Sequence, residues 1–260
     1  MAAGDVDCRL AQVKGFKGIF TNGVDSYIDT NIDCPTFLRN KDFSINFWGF
    51  ASPITTYLMS GQKGEAPYSS IFIFDVSGVG ALFFYNTVTV GVSTLIDDTK
   101  WHMLTMVRDN AAGTFEAFLD GVSIGTSGAL GADPAILTST MKFGVSGDGA
   151  FGFGKGGMRE CSIYQKKLTT TEITNLYNNL GMASNCYAYW KLQNDVLDYS
   201  GNGRNATIVG AGTYYGITEK GITDLQAAVY DQRATYGSTY KQPMLVRGQR
   251  GQVISTFIDA

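Results

Sequence analysis

Between residues 18 and 157 the chain alternates short β-prone runs with turn signals, and this spacing constrains its fold more than any other feature. The runs fall at 19–20, 26–30, 43–51, 57–60, 71–75, 81–85, 87–92, 101–109, 114–119, 122–125 and 141–145. Such a series predicts an antiparallel sandwich or barrel. In Phe43-Ser-Ile-Asn-Phe-Trp48, Phe43, Ile45 and Phe47 share one face while Ser44 and Asn46 share the other, which predicts a strand with one wet face. Asp120-Gly121 separates two such runs and supplies the positive φ angles of a two-residue hairpin turn. Glycine numbers 32 against 5 prolines, a balance suited to tight turns rather than stiff linkers. With 44% hydrophobic and 17% charged residues, the chain has the apolar surface to build a core.

Helix signals concentrate in Thr169-Thr-Thr-Glu-Ile-Thr-Asn-Leu-Tyr-Asn-Asn-Leu-Gly181. Thr169 and Glu172 have capping-box spacing, and Ile173, Leu176, Tyr177 and Leu180 form an apolar stripe ending before Gly181. A stripe of this kind needs a sheet to lie on, so Met158-Arg-Glu-Cys-Ser-Ile-Tyr164 just before it reads as a strand of the same body. Residues 187–192 and 206–209 read as further strands around the turn-rich Asp198-Tyr-Ser-Gly-Asn-Gly-Arg-Asn205. From Tyr214 to Ala260 the character changes: a helix is expected at 223–234, a Tyr- and Gly-rich stretch follows, and a strand at 253–258. This segment is too poor in apolar residues to hold a core of its own. The organisation expected is an N-terminal arm at 1–17, a β-sandwich at 18–213 and an interaction tail at 214–260.

A net charge of −3 gives no basic surface for phosphate backbones, so no direct nucleic-acid partner is expected. Apolar runs such as 71–74 and 81–85 are far short of the ~20 residues that cross a bilayer, and no membrane segment is expected. The first residues carry acids where a signal peptide needs a basic patch and an apolar stretch. Cys8, Cys34, Cys161 and Cys186 contain no C-x-x-C pair and read as free, mostly buried thiols. With His102 the sole histidine, a zinc site is not expected.

Several stretches, in order, resemble one family. They are Gly18-Ile-Phe-Thr-Asn-Gly-Val-Asp-Ser-Tyr-Ile-Asp29, Asp42-Phe-Ser-Ile-Asn-Phe-Trp48, Trp101-His-Met-Leu-Thr-Met-Val-Arg108 with Phe118-Leu-Asp-Gly-Val122, and Gly157-Met-Arg-Glu-Cys-Ser-Ile-Tyr164 with 168–177. Together they resemble the laminin-G-like or concanavalin-A-like jelly-roll superfamily over about residues 18 to 180. The fold this implies is all-β: an antiparallel β-sandwich (jelly roll) with one short amphipathic helix and an extended C-terminal tail. The superfamily holds lectins, glycan-cleaving enzymes, adhesion modules and virion proteins, so the resemblance leaves function open.

The glucan-cleaving branch uses closely spaced carboxylates, and no E-x-D-x-E phrase occurs here: Glu160 has no acidic neighbour two residues away, Asp97 and Asp98 are adjacent, and Glu116 is isolated. No G-x-S-x-G elbow is present, His102 reads as a core-edge residue, and the glycines at 152–157 read as a turn because no G-K-[ST] completes a phosphate loop. No catalytic residue and no cofactor are expected, with one exception. The resemblance implies a calcium ion at a sandwich edge, for which Asp25, Asp29, Asp148, Asp195 and Asp198 are the loop candidates, although none has EF-hand spacing.

Ile71-Phe-Ile-Phe74 and Ala81-Leu-Phe-Phe-Tyr85 are apolar on both faces, so their outer row needs cover from the helix, the tail or another subunit. Phe72, Phe74 and Phe84, with Tyr236 and Tyr240 of the tail, are the interface candidates. The leading expectation is a non-enzymatic virion structural protein of a tailed phage. As a capsid decoration, cement or fibre-like component it would be assembled in the host cytoplasm and bind the major capsid protein and copies of itself through its termini. The alternative is a carbohydrate-binding or adhesion module, calcium-dependent in one form, acting on host glycans from a cell surface or as a secreted protein.

Overall fold

The computed structural model describes residues 16–38, 40–51, 56–60, 71–76, 80–85, 88–91, 101–130, 140–145, 149, 153–178, 182–210, 214–218, 243–247 and 253–257. The strands in chain order are β1 (Phe16–Asn22), β2 (Tyr27–Asp33), β3 (Phe43–Ala51), β4 (Thr56–Ser60), β5 (Ile71–Val76), β6 (Gly80–Tyr85), β7 (Val88–Gly91), β8 (His102–Asp109) and β9 (Thr114–Leu119). They continue with β10 (Val122–Thr126), β11 (Thr140–Phe143), β12 (Lys155–Tyr164), β13 (Cys186–Trp190), β14 (Thr207–Val209), β15 (Tyr214–Thr218), β16 (Pro243–Arg247) and β17 (Val253–Phe257). Helix α1 (Cys34–Leu38) follows β2, and α2 (Thr170–Tyr177) follows β12.

Two antiparallel sheets make the sandwich. One runs β10-β9-β8-β3-β12-β1-β15, with β13 also paired to β12; the other runs β14-β2-β11-β4-β5-β6-β7. The alternating side chains of β3 explain how the layers meet. Phe43, Ile45 and Phe47 are fully buried between the sheets, and the Phe47 ring meets Phe143 of the opposite layer with centroids 5.7 Å apart. Phe143 in turn meets Trp190 at 6.3 Å. Each such side chain taken from water contributes roughly 1.5–3 kcal/mol, which is why this layer dominates the fold.

The hairpin at Asp120-Gly121 forms as expected, with φ of 51° and 80° at its two central residues. Helix α2 also forms as its caps predict: the Thr169 side chain accepts from the Glu172 N–H, and the Glu172 side chain reaches back to the N-cap backbone. It stops at Tyr177, and Gly181 lies outside the described residues. His102 is at the core edge, its Nδ1 2.7 Å from Asp120 Oδ2. Cys34 and Cys161 are buried and Cys186 is half-buried, while Cys8 lies outside the described residues.

Three expectations need correction. The outer face of β3 is not wet: Ser44 and Asn46 are buried, because α2 and the segment before it cover that face of the sheet. A second apolar cluster forms there from Phe20, Trp48, Trp101, Met103, Val107, Phe118, Tyr164, Leu168 and Ile173. The glycines before residue 158 are not all in a turn either, since Gly156 and Gly157 lie in β12, paired to β3 and β1. A Cβ at Gly157 would stand 2.6 Å from Phe20 Cε1 and 2.8 Å from Trp101 Cη2, so ring packing demands glycine there. Finally, there are two helices among the described residues rather than one, α1 being a single turn whose Phe37 is fully buried.

Tyr214–Thr218, placed by the sequence in the tail, lies beside β1 as the edge strand β15. The chain divides into one unit at Met1–Ile217 and another at Thr218–Ala260, the latter containing the β16–β17 hairpin. Of the tail expectations, the strand at 253–258 is present as β17, whereas the helix at 223–234 lies outside the described residues. Among the described residues no helix is long and apolar enough to cross a membrane.

Candidate functional site

The site originates in one irregularity of β12. This ten-residue strand pairs with β3 along one side, while on the other it pairs first with β1, at 155–158, and then with β13, at 161–164. Where the partner changes, the register slips: Arg159 faces Trp48 and Ser162 faces Asn46, so Glu160 and Cys161 together oppose the single residue Phe47. This is a β-bulge, and Glu160 occupies it with φ of +50°, the left-handed region that a non-glycine residue enters at a cost. The bulge resets side-chain alternation by one residue. Met158, Cys161 and Ile163 all point into the main core, while Arg159, Glu160, Ser162 and Tyr164 face the outer side, toward α2.

Glu160 is fixed in that position. Its N–H donates to the Lys191 carbonyl at 3.1 Å, its Oε1 accepts from Gln193 Nε2 at 2.6 Å, and its Oε2 accepts from the Tyr189 hydroxyl. Tyr189 stands opposite Ser162 on β13. Burial, followed by the acceptor Glu160, raises the Tyr189 pKa far above the ordinary phenol value, so Tyr189 remains a hydrogen-bond donor. Beside this group opens a cleft of about 240 Å³ lined by Asn46, Trp48, Glu160, Ser162, Leu176, Met182 and Tyr189. Asn46 is held by the Thr105 hydroxyl, which donates to its Oδ1 at 2.6 Å. Trp48 is clamped between Tyr177 of α2, stacked at 5.6 Å and 14°, and the Arg159 guanidinium, 5.1 Å from its centroid. Burial lowers the Arg159 pKa to about 10, which still leaves it charged at neutral pH. The lining of the cleft therefore combines apolar side chains with an acid, an amide and two hydroxyls.

None of these residues is a site candidate by sequence reasoning, which sets Glu160 aside for want of an acidic neighbour. A signal was present: Arg159-Glu160, two charges in succession, interrupts the alternation of an otherwise apolar strand, as a bulge does.

None of the described calcium candidates is among the residues lining this cleft. Asp25 sits in the β1–β2 turn and accepts from Asn22 Nδ2 at 2.5 Å. The Asp29 carboxylate faces Lys142 Nζ at 2.9 Å and Thr140 Oγ1 at 2.8 Å, so a lysine already supplies its cation. Asp195 accepts from the Tyr199 hydroxyl at 2.9 Å. Asp198 organises its loop by accepting the N–H groups of Tyr189, Ser200 and Arg204. Burial opposes its charged form, but those donors outweigh burial and hold its pKa below the usual 3.8. Asp148 lies outside the described residues. Among the described residues no group of three or more His, Cys, Asp or Glu could hold a metal ion. Of the interface candidates, Phe72 and Phe74 of β5 and Phe84 of β6 have their backbones in the second sheet, Phe72 paired with Phe84, while their side chains lie outside the description, as do Tyr236 and Tyr240.

A Laminin G family model, described as the concanavalin A-like lectin/glucanases superfamily, matches residues 22–174. The chain belongs to this superfamily. Among solved structures of similar fold is a carbohydrate binding protein, so described provisionally, from Bacteroides ovatus. It shares 15% identity with a TM-score of 0.60, over 80% of this chain and 61% of that one. The binding domain of botulinum neurotoxin DC, solved with rat synaptotagmin II, shares 21% identity over 72% of this chain and 45% of its own, at a TM-score of 0.47. Domains LG4-5 of the mouse laminin alpha1 chain share 15% identity over 61% and 44%, at 0.43. The chain thus spans less than two thirds of the length of each, and at these identities the likeness is one of superfamily fold. No match is found among curated protein sequences.

Proposed function

We propose that the chain is a non-catalytic carbohydrate-binding module whose ligand occupies the cleft beside Glu160. The observation that carries this reading is the mixed lining of the cleft: Leu176, Met182 and the edge of Trp48 supply apolar contact, and Asn46, Glu160, Ser162 and Tyr189 supply polar groups for sugar hydroxyls. Hydrolysis would require a second carboxyl about 5 Å or more from the first, and the groups that hold the Glu160 carboxylate are a phenol and an amide. The module would act on glycans at a cell surface or as part of a secreted protein.

Virion assembly, the leading expectation from sequence, ranks second here: the similar structure from Bacteroides ovatus is described as a carbohydrate binding protein. The test is a glycan array probed with the full chain, with and without chelator. Binding to a defined glycan set, reduced at least tenfold in Glu160→Gln with the thermal transition preserved, is the expected result. Retention of signal in chelator would remove the calcium-dependent form of the reading. No binding to any glycan at millimolar concentration, or equal binding by Glu160→Gln, would overturn the cleft as the site.

A further inference from the structure

The cleft belongs to a longer row of side chains. Thr105 of β8, Asn46 of β3, Ser162 of β12 and Tyr189 of β13 stand opposite one another in register, so they form a line across the outer face of the first sheet, at right angles to the strands. The line runs from inside to outside: Thr105, Asn46 and Ser162 are buried and Tyr189 is half-buried. It ends at Tyr199, which is 42% exposed. Asp198 bridges to Trp190 and the Tyr199 N–H donates to the Tyr189 carbonyl at 2.7 Å, so this segment lies beside β13 as a further strand would. The Tyr189 and Tyr199 rings meet edge to face with centroids 6.5 Å apart, which makes Tyr189 common to the cleft and to the surface beyond it. Tyr199 is held in place: its hydroxyl donates to Asp195 Oδ2 at 2.9 Å, Lys191 Nζ stands 4.4 Å from its ring centroid, and Asp198 fixes the backbone around it by accepting three N–H groups. An exposed ring on a fixed backbone, beside an ammonium with protons to donate, can receive a sugar without the ordering cost of a loose loop. The cleft itself, at about 240 Å³, is smaller than the roughly 300–1,000 Å³ of pockets that enclose a drug-sized ligand, so it takes one sugar ring and any further unit must lie outside it.

We propose that Tyr199, with Lys191 beside it, is a second sugar subsite adjoining the cleft, so that the ligand is an oligosaccharide with one unit in the cleft and the next across the Tyr199 ring. The inference rests on the carbohydrate reading above and adds the ligand's length and a residue that reads it. The experiment measures binding of the full chain, by calorimetry, to cello-, malto-, manno- and galacto-oligosaccharides of one to four units. Within the series that binds, affinity is expected to rise at least tenfold from one unit to two and little thereafter. Tyr199→Ala should reduce this ratio of disaccharide to monosaccharide affinity to within threefold. Tyr199→Phe keeps the ring and gives up only the bond to Asp195, so it should retain most of the ratio. Using the ratio separates a subsite from a support: if Tyr199→Ala weakened both lengths equally, Tyr199 would only be steadying Tyr189, and the proposal would fall. Equal binding of one and two units by the unmodified chain, or a ratio unchanged in Tyr199→Ala, would likewise overturn the subsite while the cleft reading stood. Absence of binding in all four series at millimolar concentration would overturn the subsite as well, and the glycan array would then decide the carbohydrate reading separately.

Discussion

The bulge at Glu160 can be tested by the sign of a stability difference. Glu160→Gly and Glu160→Ala both delete the carboxylate and its bonds to Tyr189 and Gln193, so that loss cancels when the two are compared. What remains is backbone. Alanine at φ of +50° incurs the left-handed penalty of roughly 1–2 kcal/mol, while glycine incurs its extra unfolded-state freedom, roughly 0.5–1 kcal/mol. Glycine should therefore be the more stable at position 160 by about 0.5–1 kcal/mol. The control is Glu116 in β9, an interior strand position paired to Val107 on one side and Thr126 on the other, with no positive φ. There, glycine should be the less stable by about 0.5–1 kcal/mol. Urea unfolding followed by tryptophan fluorescence on the four variants reads both differences, and their opposite signs are the expected outcome. If glycine were the poorer residue at 160 by the same margin as at 116, Glu160 would be in ordinary strand conformation. Arg159 and Glu160 could not then share the outer face, and the cleft would lose its acid.

Three further outcomes follow from named contacts. Gly157→Ala places a methyl against Phe20 and Trp101 and should destabilise by about 1–3 kcal/mol, measured by urea unfolding; an unchanged midpoint would mean the rings yield freely. Thr169→Ala removes the cap of α2 and should cost about 1 kcal/mol, with a weakened Trp48–Tyr177 stack visible as a change in near-ultraviolet circular dichroism. Asp198 has a folded pKa below its ordinary value of 3.8, so the stability it contributes is fully present above that value and is lost as pH falls through its folded pKa. Asp198→Asn should flatten that part of the acid limb in a pH series of thermal unfolding, and an unchanged slope would show that the loop does not depend on the charge.

The sandwich was legible in the sequence because its signals are local. The run at 43–51 coincides with β3 and the run at 114–119 with β9, and the Asp-Gly turn and the Thr169–Glu172 box each need only a few residues to be recognised. Long-range consequences were not legible. Ser44 and Asn46 look solvent-bound in their own strand, and only the return of the chain through Leu168 and α2 shows that they are buried. Helix α1 was missed because five residues contain no full helical repeat, and β15 because an edge strand next to β1 has no pattern of its own. The calcium candidates were chosen as loop acids, and their partners are specified by residues far away in sequence, Lys142 for Asp29 being the clearest case.

The cleft follows from the same logic at one remove. A sandwich strand has one face for the core and one for water, and a site of mixed character needs polar groups held at the margin of something apolar. Helix α2 creates that margin by covering the Trp48 end of the outer face and contributing Leu176 to the cleft. The bulge then turns one further polar residue outward at the point where β12 exchanges β1 for β13, which leaves room for Tyr189 and Gln193 to grip it. Without the extra residue, strict alternation from Met158 would point Glu160 into the core, where an unpaired acid is not tolerated. The acid thus requires the bulge: Glu160 faces outward only because the sheet is irregular at that residue.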